Sequence, residues 1–108
     1  MKNLVFKETP NFTRAISRLM SDDDYSLLQR ALLQMPDVGT IIIGSGGIRK
    51  FRWAAKGHGK SGGARVIYYW AVSVETILML DVYSKGHKED LTEEEIKRLR
   101  QVVEREYP

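Results

Sequence analysis

Three cations occupy two segments that otherwise have strand character. Lys50 and Arg52 lie in residues 48–53, and Arg65 lies in residues 64–71, where β-branched and aromatic residues predominate. Such strands are usually half-buried, so these cations either lie on a solvated sheet face or serve an anion. Converging guanidinium and ammonium groups bind phosphate, and they stabilise the charge that develops when a phosphodiester is cleaved. The residue types therefore predict phosphate binding or phosphoryl chemistry.

The three cations belong to a longer basic block. Between Val38 and Val74 there is no acidic residue. The cations in this interval are Arg49, Lys50, Arg52, Lys56, Lys60 and Arg65, and their aromatic neighbours are Phe51, Trp53, Tyr68, Tyr69 and Trp70. Removing those six cations from the formal net charge of +3 leaves −3 on the rest of the chain. A local cationic field beside aromatic rings favours a nucleic-acid ligand over a membrane or a neutral metabolite.

Several residues of the block are candidate RNA contacts. Arg49, Lys56 and Lys60 are predicted to bind RNA or ribosomal phosphates. Tyr69 shares a strand face with Arg65 and could stack on a base, but a core role is an equal alternative. Residues 54–61 resemble a phosphate-binding P-loop, yet they lead into a strand where that motif requires a helix. A hairpin connection with solubilising lysines is the alternative there.

A second polar cluster follows the last predicted strand. Lys85, His87 and Lys88 lie between that strand and a helix start. A histidine exchanges protons near neutral pH, so His87 is the candidate for proton transfer, with an exposed loop histidine as the alternative. Lys88 is a further candidate RNA contact.

Composition limits the kinds of protein that this chain can be. Its 108 residues are 43% hydrophobic and 29% charged, which predicts one globular domain over residues 1–108. There is no cysteine, which excludes disulfides and thiolate zinc sites, and the two histidines favour chemistry without a metal or other cofactor. Without an apolar run of membrane-spanning length or a signal-type start, the expectation is a cytoplasmic protein with no membrane partner.

The periodicities predict the elements that carry these residues. Residues 4–6 read as a strand, 11–20 as a helix after Pro10, and the segment from a Ser21 cap to Pro36 as a second helix. Further strands are expected at 40–43, which should be buried, and at 48–53, 64–71 and 76–83. A capping box at Thr92 and Glu95 begins the last helix. The order β-α-α-β-β-β-β-α predicts an α+β fold, in which an N-terminal helical hairpin and a C-terminal helix pack on a mainly antiparallel twisted sheet.

Three stretches of the sequence resemble a known family. They are residues 46–53, residues 57–69 with the run Gly-His-Gly-Lys-Ser-Gly-Gly-Ala-Arg, and Val82-Tyr-Ser-Lys85 followed by Glu89-Asp-Leu91. Together they resemble the RelE superfamily of bacterial toxins, and in particular its HigB-like branch. The resemblance implies a RelE/ParE-like fold and a ribosome-dependent endoribonuclease that cleaves mRNA in the decoding site. It also implies a cognate antitoxin, HigA-like with a helix-turn-helix, that holds the toxin inactive.

The resemblance also assigns roles. It implies that Lys50 and Arg52 are the basic pair on the central strand, that Arg65 contacts the scissile phosphate, and that Lys85 is the basic residue after the last strand. The family's C-terminal acid/base residue has no counterpart, since Tyr107 falls after a full helix, so His87 is the substitute candidate. Metal-free cleavage needs charge stabilisation and two proton transfers. In this hypothesis, Arg65 and Lys85 stabilise the charge. Lys50 acts as the base, and His87 or a lysine acts as the acid.

Two other functions fit part of this pattern. A ParE-like toxin that acts on DNA gyrase would share the fold without the catalytic cations. A simple RNA-binding module would use the cations to position phosphates and break no bond.

Overall fold

The computed structural model describes residues 3–54, 63–86, 88 and 90–108. Within these ranges the strands are β1 (Val5–Glu8), β2 (Thr40–Ile41), β3 (Arg49–Trp53), β4 (Ala64–Ala71) and β5 (Thr76–Ser84), and the helices are α1 (Pro10–Leu19), α2 (Asp22–Gln34) and α3 (Glu93–Glu106). A 3-10 turn at Val72–Val74 joins β4 to β5, where Glu75 adopts a left-handed backbone conformation (φ 48°). The order is the predicted β-α-α-β-β-β-β-α.

The five strands form one mixed sheet in the order β1-β5-β4-β3-β2. β2, β3, β4 and β5 pair antiparallel in sequence, and β1 pairs parallel with β5. After β1, at one edge of the sheet, α1 and α2 carry the chain to β2 at the opposite edge. This arrangement confirms the α+β fold and the mainly antiparallel sheet.

The helices pack on opposite faces of the sheet. α1 and α2 cover one face through Phe12, Ile16, Leu28 and Leu32, which pack on Val66, Tyr68 and Met79. α3 covers part of the other face, where Val103 packs with Ile48, Ile67 and Leu80. This second face also carries the side chains at the end of the sheet where β4 begins and β5 ends, among them the half-buried Arg65.

The helix starts follow their caps. The Ser21 side chain accepts a hydrogen bond from the Asp24 N–H (3.1 Å). Thr92 and Glu95 form the full reciprocal capping box, with bonds of 3.1 and 2.9 Å. Each cap satisfies backbone N–H groups that a helix start leaves without partners.

The expectation of a buried strand at residues 40–43 is wrong. β2 has only two residues, and the side chain of Ile41 is 51% exposed and that of Ile43 94% exposed. The physical reason is position: β2 is an edge strand that pairs only with β3, and of the three isoleucines Ile42 is the one packed on the α3 side. Three isoleucines in a row look buried in sequence even where the chain passes a sheet edge.

A tight turn sets the register of β3. Gly44, Gly46 and Gly47 have φ angles of 78°, 77° and 104°, which side chains with a Cβ rarely adopt. The buried Ser45 hydroxyl donates to the Ile42 carbonyl (2.6 Å) and accepts from the Ile48 N–H (2.9 Å). A slip of one residue would turn every β3 side chain to the other face, so this turn decides which face carries the cations.

In the described ranges, no helix combines the length and apolar character needed to cross a membrane.

Candidate active site

Arg52, Arg65 and Tyr83 form one row across three strands. Arg52 lies directly opposite Arg65 in the β3–β4 pair, and Arg65 lies directly opposite Tyr83 in the β4–β5 pair. All three lie on the face on which α3 packs, at the end of the sheet where β4 begins. Two like charges placed directly opposite each other destabilise a sheet, so a bound anion would relieve the repulsion.

A bulge in β5 decides which residue completes this row. Ile67 pairs with Asp81, whereas its neighbour Tyr68 pairs with Met79, so β5 has one extra residue at this point. If the register of Tyr68 with Met79 continued along the pair without a bulge, Val82 would lie opposite Arg65 and Tyr83 would turn to the α1/α2 face. The bulge therefore places a phenol beside two guanidinium groups.

Two buried polar atoms of the row lack partners. The Nη1 atom of Arg65 and the hydroxyl oxygen of Tyr83 are both buried, and neither has a hydrogen-bond partner within the described part of the chain. An unsatisfied buried polar group costs about 1–3 kcal/mol, and more when it is charged. A phosphate oxygen offers the acceptor that both groups lack.

Lys50 lies in the adjacent row. It is opposite Ile67 in β4, and Ile67 is in turn opposite Asp81 in β5. The Lys50 ammonium is 3.1 Å from a carboxylate oxygen of Asp90, in an ion pair that is largely open to solvent. Asp90 therefore occupies the Lys50 ammonium in this structure and would compete with a phosphate for it.

Lys88 covers the Tyr83 ring. Its ammonium lies 4.8 Å from the ring centroid and forms an ion pair with Glu95 of α3. Burial raises the pKa of Tyr83, with smaller contributions from the negative charges of Asp90, Asp81 and Glu95, while Arg65 opposes them. The phenol is therefore protonated at neutral pH and can act as a hydrogen-bond or proton donor.

Asp81 lies at the bulge, beside the site. Burial raises the pKa of its carboxyl group, whereas the hydrogen bond from the Val82 N–H (2.8 Å) and the charge of Lys88 lower it. Glu95 differs, because its hydrogen bonds with Lys88 and the Thr92 N–H lower the pKa of its carboxyl group. The site thus contains both cations and carboxylates, and the carboxylates would compete with an anionic ligand for the cations.

Lys85 lies at the rim. It directly follows β5, and its N–H donates to the Gly63 carbonyl (3.1 Å), which holds it next to the start of β4 and Arg65. Its side chain is exposed. Of the predicted catalytic residues, Lys50, Arg52, Arg65 and Lys85 are therefore brought to one end of the sheet.

Other predicted residues lie apart from this group. Arg49 faces away from it, and its Nη1 donates to the carbonyls of Asp37 (3.1 Å) and Gly39 (2.7 Å). Tyr69 shares the face of Arg65, but its ring stacks on Tyr107 at a centroid distance of 5.9 Å, which favours the core role. The predicted Lys56, Lys60 and His87 lie outside the described residues.

Sequence reasoning missed Tyr83 as a site residue. It placed Tyr83 at the end of the last strand and gave it no role, although an aromatic hydroxyl two residues before Lys85 was a usable signal. Among the described residues, no group of three His, Cys, Asp or Glu side chains could hold a metal ion.

Comparison with known proteins shows the fold. No protein-family model matches the chain. Among solved structures, it is similar to an E. coli toxin RelE mutant in the free state, in which two arginines are replaced by alanine. The TM-score is 0.56 and the sequence identity 17%, and the match covers 88% of this chain and 96% of that one.

Proposed function

We propose that this chain is the toxin of a type II toxin–antitoxin system, and that it is a metal-independent endoribonuclease that cleaves mRNA on the ribosome. The observation that carries the proposal is the direct pairing of Arg52 with Arg65, whose buried N–H lacks an acceptor in the described part of the chain. The similarity of the fold to the toxin RelE supports the same assignment.

The positions of the four cations support different roles among them. Arg65 is central and half-buried, so it binds the scissile phosphate and stabilises the charge that develops on its oxygens. Arg52 is more exposed and holds the same or the adjacent phosphate. Lys50 and Lys85, on either side, bind the RNA backbone.

Lysines and arginines supply charge but do little to align a hydroxyl with a phosphate. Among the described residues, this end of the sheet offers few groups other than cations to orient the nucleophile, and orientation is a large part of the barrier to phosphodiester cleavage. The ribosome supplies that orientation when it presents a codon in the decoding site. The isolated protein is therefore expected to cut naked RNA poorly.

The remaining expectations follow from the resemblance in sequence. The toxin belongs to the HigB-like branch, acts in the cytoplasm, and is held inactive by a HigA-like antitoxin with a helix-turn-helix. An antitoxin reading frame beside the gene, and a stable complex of the two products, would support this assignment.

The test compares Arg65→Ala with Arg98→Ala, a matched change at an exposed arginine of α3 that is paired with Glu94 at 3.6 Å. After brief induction, 5′ ends of transcripts are mapped. The parent and Arg98→Ala should cut within translated codons, whereas Arg65→Ala should cut roughly 10² to 10³ times more slowly. Cleavage by Arg65→Ala at the parental rate would refute the assigned site. DNA damage without RNA cuts would indicate a gyrase poison, and RNA binding without cuts a binding module.

A further inference from the structure

We propose that Tyr83 is the proton donor to the leaving 5′ oxygen of the cleaved RNA. This inference rests on the proposed nuclease function and deepens it. Its basis is the row in which the β5 bulge sets Tyr83 directly opposite Arg65. A phosphate bound by Arg65 would therefore have the phenol as its neighbour on the next strand.

The chemical state of Tyr83 suits this role. Its hydroxyl is buried and has no hydrogen-bond partner within the described ranges, so no described residue holds its proton. Burial and the nearby carboxylates Asp81, Asp90 and Glu95 keep the phenol protonated through neutral pH, against the opposing charge of Arg65. A leaving alkoxide is far more basic than a phenolate and takes this proton readily.

Lys88 covers the ring of Tyr83. Tyr83 is only 5% exposed, and the Lys88 ammonium lies over its ring while paired with Glu95. A phosphate at Arg65 attracts this ammonium, which draws it off the ring toward the phosphate oxygens. The substrate thus uncovers its own proton donor, and Lys88 adds a positive charge where the reaction develops a negative one.

In the proposed reaction, the 2′ oxygen attacks phosphorus and its proton passes to water, while the bond from phosphorus to the 5′ oxygen breaks. That oxygen keeps the bonding electron pair and takes the proton of Tyr83. The products are a 2′,3′-cyclic phosphate and a 5′ hydroxyl, and the tyrosinate regains a proton from solvent.

The test uses a leaving group that needs no proton. Ribosomes are programmed with an mRNA whose mapped cleavage site carries either the natural 5′ oxygen or a 5′ bridging sulfur, since a thiolate is a much weaker base than an alkoxide and leaves unprotonated. Tyr83→Phe should lose roughly 10² to 10⁴ in rate on the oxygen substrate and only a few-fold on the sulfur substrate. Arg65→Ala should be impaired on both.

Tyr107→Phe is the matched control. Tyr107 also has a buried hydroxyl without a partner in the described part of the chain and a pKa raised by burial, but it stacks on Tyr69 at the end of α3. This variant should cut both substrates at the parental rate. Activity of Tyr83→Phe on the sulfur substrate shows that it is folded, and a thermal melt provides a second check.

Two outcomes would overturn the inference while leaving the nuclease function intact. One is an unchanged rate for Tyr83→Phe on the oxygen substrate, and the other is an equal loss on both substrates, which indicates a structural role. A parental protein that cuts neither substrate would instead refute the proposed function, and this inference with it.

Discussion

Arg52 and Arg65 are direct cross-strand partners, so two positive charges lie side by side where β3 ends and β4 begins. Sheets usually place opposite charges or apolar residues at such positions, because like charges there cost about 0.2–1 kcal/mol. This pairing therefore lowers the stability of the fold, and under the proposed function a bound phosphate would offset that loss.

Replacing one member of the pair should stabilise the protein. Arg52→Thr removes the repulsion and puts a good strand former in β3, so the free energy of unfolding should rise by about 0.2–1 kcal/mol while activity falls. Urea denaturation at low and high salt measures this, and the gain should shrink as salt screens the charges. The control is Lys7→Thr on β1, where the lysine is paired with Glu106 at 3.0 Å. Lys7→Thr should not raise the free energy of unfolding. An equal rise in both variants would contradict repulsion between Arg52 and Arg65 as the cause.

Removing the carboxylate that holds Lys50 should strengthen RNA binding. Asp90 lies 3.1 Å from the Lys50 ammonium and competes with phosphate for it. An exposed ion pair of this kind contributes about 0.2–1 kcal/mol, so Asp90→Asn should tighten binding of a short RNA by roughly 1.5- to 5-fold. Fluorescence anisotropy at low salt measures the affinity.

The control for this prediction is Glu94→Gln. It removes the same charge from an exposed ion pair with Arg98 on α3. Equal tightening in both variants would mean that net charge alone is responsible and that Asp90 does not compete at Lys50.

Asp81 should make stability depend on pH in an unusual direction. Burial raises its carboxyl pKa in the folded protein, so the folded state binds this proton more tightly than the unfolded state does. Ionisation then costs stability, and the cost begins as pH rises through the unfolded value near 3.8 and is complete above the folded pKa. Asp81→Asn should raise the free energy of unfolding at pH 7 and leave it unchanged at pH 3.

Denaturation curves at pH 3 and pH 7 test whether ionisation of Asp81 lowers the free energy of unfolding. Asp22→Asn, in the exposed first turn of α2, is the control, because a carboxylate there stabilises the helix start and its loss should lower stability at pH 7. A loss of stability at pH 7 in Asp81→Asn would show that the Val82 N–H and Lys88 outweigh burial.

Much of the fold is readable from local patterns. The strand over Ala64–Ala71 has the predicted bounds, and the capping box at Thr92 starts α3 where expected. The alternation within residues 48–53 places Lys50 and Arg52 on one face, as period two requires. These features depend on neighbours within a few residues, which a sequence displays directly.

Features that depend on distant partners were not readable in this way. The isoleucines before Gly44 look buried, yet β2 lies at the sheet edge and leaves Ile43 exposed. Alternation places Arg49 on the face opposite Lys50, but not the backbone carbonyls of Asp37 and Gly39 that it binds. The exposure of Ile43 and the partners of Arg49 do not follow from residue type, because strand order and edge position are set by the whole sheet.

The amino-acid sequence by itself determined the α+β order of elements and the run of cations between Val38 and Val74, since periodicity and charge pattern are local properties. Only the tertiary structure decided that Tyr83 joins Arg65 and that Asp90 holds Lys50. The physical reason is that one extra residue in β5 reverses the direction of the side chains that follow it, and that the pair of Asp90 with Lys50 joins residues 40 positions apart. Such relationships exist only once the sheet has formed.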